Sequence, residues 1–117
     1  MPYMLLIMEP AGQRGERNDA EGRQLYQRML DFAADLKSRG LLIATEALRS
    51  DAEAVRVQVR EGRRTLLDGP FSEAKEIVGG FFLLNCDTRE QAVEIAAACP
   101  AARFATVEVR ELGPCYL

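Results

Sequence analysis

Histidine and tryptophan are absent from this chain, and lysine occurs only at positions 37 and 75. Without histidine the usual general base near neutral pH is missing, and so is a common ligand of transition metals. Cysteine occurs only at positions 86, 99 and 115, with no C-x-x-C pair. That spacing cannot build a zinc set, so no metal site is expected. A cysteine nucleophile would lack the histidine that normally activates it. An odd count in a chain that is not cysteine-dense points to reduced thiols and a cytoplasmic setting. No flavin motif is present, and no cofactor is expected. The longest opening apolar run, Met4-Leu5-Leu6-Ile7-Met8, is too short for a membrane span, and no basic residue precedes it as in a signal peptide. No low-complexity segment or solenoid-period repeat stands out. The net charge of −3 argues against nucleic-acid and anionic-membrane partners.

What is present is an alternation of strand and helix patterns. The 117 residues fit one domain, 1–117, with enough material for a core. Residues 3 to 9 read as a buried strand, and residues 10 to 18 as a polar, glycine-containing loop, either a solvated connection or a flap beside a pocket. Asn18 and Glu21 fit a capping box that opens a helix to Arg39, with Leu25, Met29, Phe32, Ala33 and Leu36 on one face. Gly40 is placed to end it. Residues 41 to 48 read as a second strand. Val55, Val57 and Val59 alternate with Arg56, Gln58 and Arg60, predicting a strand with one wet face. Glu61-Gly62 turns it into a partner strand from Arg63 to Leu67. A central strand follows from Ile77 to Cys86. Asp87 and Glu90 predict a second capping box, for a helix to Cys99 that Pro100 stops, with Ala92, Ile95, Ala96 and Cys99 buried. Phe104 to Leu112 is the last strand.

Removing the hairpin leaves βαββαβ, an α+β, ferredoxin-like order with both helices on one face of an antiparallel sheet. Residues 4 to 8 and 81 to 84 are apolar at odd and even positions alike. Side chains alternate faces along a strand, so these strands are apolar on both sides, and two helices cover only one. Each large apolar side chain buried there is worth about 1.5–3 kcal/mol. A homodimer packed through the helix-free sheet faces is expected; the rival cover is the hairpin, or the tail with Tyr116 and Leu117.

The densest local chemistry lies in Asp68-Gly69-Pro70-Phe71-Ser72-Glu73-Ala74-Lys75-Glu76, followed by Gly79-Gly80. The run resembles the signature of the YCII-related family, specifically its DGPF-motif branch: Asp-Gly-Pro-Phe, then Ala-Glu-Thr-Lys-Glu, then Gly-Gly. Further likeness lies in Tyr3-Met4-Leu5, Gly40-Leu41-Leu42, Pro100-Ala101-Ala102 and Val107-Glu108-Val109-Arg110. Ser72 and Ala74 depart from the pattern. The resemblance implies the dimeric α/β-barrel fold, with the hairpin as an insertion, and a function largely unassigned. Some relatives look like enzymes with a His–Asp pair. Here those positions fall on Met29 and Cys99, so that mechanism does not carry over.

Asp68 is the candidate proton-transfer carboxylate, against a plain role accepting turn N–H groups. Candidate ligand-binding residues are Glu46, Asp68, Phe71, Lys75 and Phe81. Glu46 is expected to point into a buried region, with Arg56 or Arg110 as a partner, and Lys75 to hold an anionic group or pair with Asp68. The functional expectation is a small-molecule pocket near the Asp-Gly-Pro-Phe loop, between sheet and helices or at the dimer seam, with carboxylate-based isomerase- or lyase-like chemistry. The alternatives are a regulatory module of the sigma-factor-associated kind and a purely structural dimer.

Overall fold

The computed structural model describes residues 2–117. Strand β1 (Tyr3–Pro10) buries Tyr3, Leu5, Ile7 and Glu9 and leaves Met4, Leu6 and Met8 half-buried. Helix α1 (Asp19–Ser38) starts on the expected capping box: Asn18 Oδ1 accepts from Glu21 N at 2.8 Å and Glu21 Oε1 accepts from Asn18 N at 3.0 Å. Gly40 follows the helix at φ 71°, a conformation a Cβ disfavours. Strands β2 (Leu42–Ala47), β3 (Val55–Arg60), β4 (Arg63–Asp68) and β5 (Glu76–Leu84) come next. Helix α2 (Arg89–Ala98) and strand β6 (Thr106–Glu111) complete the chain.

The main sheet has the order β2-β5-β1-β6, with every neighbouring pair antiparallel. This is an α+β arrangement consistent with a ferredoxin-like fold, and it is an open sheet rather than a closed barrel. Both helices pack on one face. Leu36 of α1 and Ala92, Ile95 and Ala96 of α2 join Tyr3, Leu5, Ile7, Phe82 and Leu84 in one core cluster. Phe32 meets Phe82 edge-to-face, ring centroids 5.4 Å apart, which fixes α1 over the centre of the sheet.

Three local expectations need correction. Helix α2 is capped by Thr88, whose hydroxyl accepts from Gln91 N at 3.1 Å, not by Asp87. Asp87-x-x-Glu90 and Thr88-x-x-Gln91 are overlapping cap patterns one residue apart, and sequence spacing cannot rank them. Residues 10 to 18 are not all loop: Gln13–Glu16 forms a 3₁₀ turn. Glu46 is exposed, not buried, and has no ion pair among the described residues. A bulge between Leu42 and Ala44 shifts the register of this edge strand.

The largest departure concerns β3 and β4. They form a separate two-stranded sheet, and every residue in both strands is exposed. Glu61 (φ 53°) and Gly62 (φ 76°) make its two-residue turn. The strand predicted to have one wet face has two, and the hairpin does not lie over the sheet. Tyr116 and Leu117, at 84% and 92% exposure, do not cover it either. The result is a thin molecule of 46 × 41 × 19 Å whose sheet has helices on one side only.

Candidate functional site

A cleft of about 990 Å³ opens on the helix side of the sheet, between α1 from Asp19 to Ala33 and strands β1, β2 and β5. Strand alternation explains its floor. Residues 3, 5, 7 and 9 share the face beneath the helices, so the series that buries Tyr3, Leu5 and Ile7 also buries Glu9. A carboxylate 6% exposed needs a partner. Arg14, from the 3₁₀ turn, supplies it. Its Nε donates to both Glu9 oxygens at 3.0 Å, and its Nη2 donates to Oε1 at 2.6 Å. Gln13 anchors the same turn by donating from Nε2 to the Phe104 carbonyl at 2.7 Å.

Two glycines make room for this arrangement. The β1–β5 register slips after Ile7, which pairs with Gly80, while Met8 pairs with Val78. Gly79 is the extra residue of that bulge, and a Cβ there would overlap Glu9 Oε1. A Cβ at Gly80 would fall 2.8 Å from the Glu46 carbonyl. The glycine pair thus serves close packing against the cleft floor and the edge strand.

The cleft is divided chemically. Leu25, Met29, Leu30, Ala33 and Phe82 make an apolar wall, and Arg14, Arg17, Arg23 and Arg49 cluster with Glu9, Asp19 and Glu46 around the rest. Arg23 pairs with Asp19 at 2.7 Å, and Arg49 with Glu53 at 3.2 Å. Arg17 differs. It is half-buried, lies 4.8 Å above the Phe104 ring centroid, and has no carboxylate partner among the described residues. Four arginines against three carboxylates leave the lining at +1 in a chain of net charge −3.

The structure separates the sequence candidates. Glu46 and Phe81 border the cleft. They pair directly across β2 and β5, and Phe81 also pairs with Leu6, which puts them in register with the helix-free face. Phe71 is buried outside the cleft, with the Arg56 guanidinium 3.9 Å above its ring centroid. It lines a second groove of about 520 Å³ with Met8, Arg56 and Val78. Asp68 and Lys75 are exposed and border neither hollow. In the turn after β4, where Gly69–Pro70 is cis, the accepting carboxylate is Asp51, which takes the Phe71 N–H at 3.0 Å. Met29 borders the cleft and Cys99 does not. Burial pushes the Cys99 and Cys86 thiols above their ordinary value, which keeps them protonated and unreactive. Among the described residues no group of three His, Cys, Asp or Glu side chains is placed to hold a metal, and no helix is long and apolar enough to cross a membrane.

Glu9, Arg14 and Arg17 were not singled out from sequence. The signal for Glu9 was available: a charge in register with Tyr3, Leu5 and Ile7 must be buried, and so must be paired.

An antiparallel sheet with two helices on one face, and a cleft between helix and sheet, defines a small α+β protein whose elements frame a ligand-sized hollow. The family model for the YCII-related domain matches residues 1–115, and the chain belongs to that family. No curated protein matches it.

Proposed function

We propose that this protein belongs to the DGPF-motif branch of its family and binds a small amphipathic anion in the cleft under α1. The supporting observation is the half-buried, carboxylate-free Arg17, beside an Arg14 held in place by buried Glu9, at the polar end of an apolar wall. A guanidinium in that position favours a carboxylate or similar oxyanion, and the apolar wall favours a hydrocarbon body. Binding fits the geometry better than proton transfer. Arginines hold two of the three cleft carboxylates, Glu46 is in register with the other face, and Asp68 lies outside the lining.

The active form in this reading is a cytoplasmic homodimer of the dimeric α/β-barrel type, joined through the helix-free sheet faces. Met4, Leu6, Met8, Phe81 and Leu83 are only half-buried there. Completing their burial contributes up to about 1.5–3 kcal/mol for each large side chain, before association costs.

Thermal shift with octanoate and benzoate, beside octanamide and benzamide, tests the ligand class. The carboxylates should raise the melting temperature and the amides should not. Arg17→Ala should abolish the effect while leaving the unliganded melting temperature within a degree or so of wild type. Equal response to acids and amides would overturn the anion assignment, and no response to any of the four would overturn the cleft.

A further inference from the structure

We infer that the β3–β4 hairpin is a docking arm that lies on the body of a second copy of this chain. Val57 pairs across the hairpin with Leu66, and Val55 and Val59 flank it at alternate positions, so these four side chains share one face. They are 50–59% exposed. An isolated two-stranded hairpin is marginal in water, and one with an uncovered apolar face requires a surface to rest on. Its own sheet does not supply one, because every residue of both strands is exposed.

Charge selects the occupant. From residue 55 to 68, Arg56, Arg60, Arg63 and Arg64 against Glu61 and Asp68 give the arm +2, leaving −5 on the rest of a chain of net −3. Arm against arm would bring like charges together; arm against body brings opposite ones. Continuity selects the same partner. At the base of the arm, Arg56 and Phe71 share a groove with Met8 and Val78 of the helix-free sheet face. The groove therefore joins the helix-free sheet face to the foot of the arm, and a copy seated on the sheet comes within reach of the arm. The inference rests on the homodimer reading above and adds that the arm is part of the same interface.

Sedimentation equilibrium on wild type and on Val57→Asp/Leu66→Asp tests it. These positions are exposed in the single subunit, so circular dichroism should show the fold unchanged. An uncompensated carboxylate in an apolar contact should raise the dimer dissociation constant about 100-fold or more. Wild-type dimer should also resist trypsin at Arg60, Arg63 and Arg64, and the variant should be cut there. A second variant, Arg60→Glu/Arg63→Glu, changes a cross-strand pair on the opposite face, keeps the apolar face, and should weaken association with a reduced salt dependence. Variants that dimerise as tightly as wild type would overturn the arm and leave the sheet interface standing. Wild type that is monomeric at every concentration would overturn both.

Discussion

Gly79 packs directly against the Glu9 carboxylate, with Arg14 Nη2 3.3 Å from where its Cβ would lie. The absent side chain at 79 is what lets a buried ion pair fit beneath the β-bulge. Gly79→Ala should therefore act on the pair rather than on the backbone, displacing Glu9 and destabilising the protein by about 1–3 kcal/mol. Gly22 is the control: it lies within α1, and nothing stands within 4 Å of its would-be Cβ. Gly22→Ala should stabilise by up to about 1 kcal/mol. Urea unfolding of both variants checks the opposite signs.

Glu9 and Arg14 should be strongly coupled. Glu9 is 8% exposed by side chain and Arg14 36%, so removing the arginine strands the more deeply buried charge. Arg14→Ala should cost about 2 kcal/mol or more, discounted from fully buried pairs because Arg14 reaches solvent. Glu9→Gln keeps the shape and should cost less. In a double-mutant cycle the combined variant should be more stable than the two losses predict by addition. Additive losses would mean that the pair contributes little as a pair.

Much of this fold is readable from local pattern. The apolar run at 3–9, the Asn18/Glu21 box and Gly40 each fix an element by short-range chemistry, and the structure has all three. The order of elements also gives the antiparallel sheet with both helices on one side. The site is less legible because it depends on register. Glu46 lies on an edge strand whose bulge sets its exposure, and no periodicity reveals a bulge. Arg14 and Arg17 sit in a polar loop that reads as solvated, and only the folded turn carries them to the cleft. The hairpin shows the same limit. Valine alternation predicts a strand with an apolar face, and that face exists, but alternation does not say what covers it.

The turn after β4 should depend on Asp51 more than on Asp68. Asp51 accepts the Phe71 N–H, and its carbonyl lies where a Cβ on Gly69 would go. Asp51→Ala should destabilise by about 1–3 kcal/mol by leaving a partly buried N–H without its acceptor. Gly69→Ala should be at least as damaging, because the obstacle is backbone. Asp68→Asn, at an exposed position, should stay within about 0.5 kcal/mol of wild type. Chemical denaturation ranks the three, and a large loss in Asp68→Asn would return the turn-holding role to that residue.

The two buried thiols should make the fold sensitive to alkali. Cys99 is 1% exposed, and burial raises its pKa above the ordinary 9.0, with two backbone hydrogen bonds opposing in part. Burial acts on Cys86 in the same direction, and nearby Asp87 adds to it. A thiol with a raised folded-state pKa stabilises the fold fully below its unfolded value, and loses that contribution as pH rises through the folded one. Stability should therefore be level with respect to these groups below about pH 8 and decline above about pH 9. Cys99→Ala lowers stability at every pH by leaving a small void, but its curve should fall less steeply in the alkaline range. The comparison of slopes removes the contributions of Tyr3 and of the other groups common to both proteins. Labelling gives an independent reading: exposed Cys115 should react at once with a thiol reagent at pH 8, and Cys86 and Cys99 only on unfolding. Rapid labelling of Cys99 in the folded protein would show that its side of α2 opens to solvent and would remove the basis for the alkaline decline.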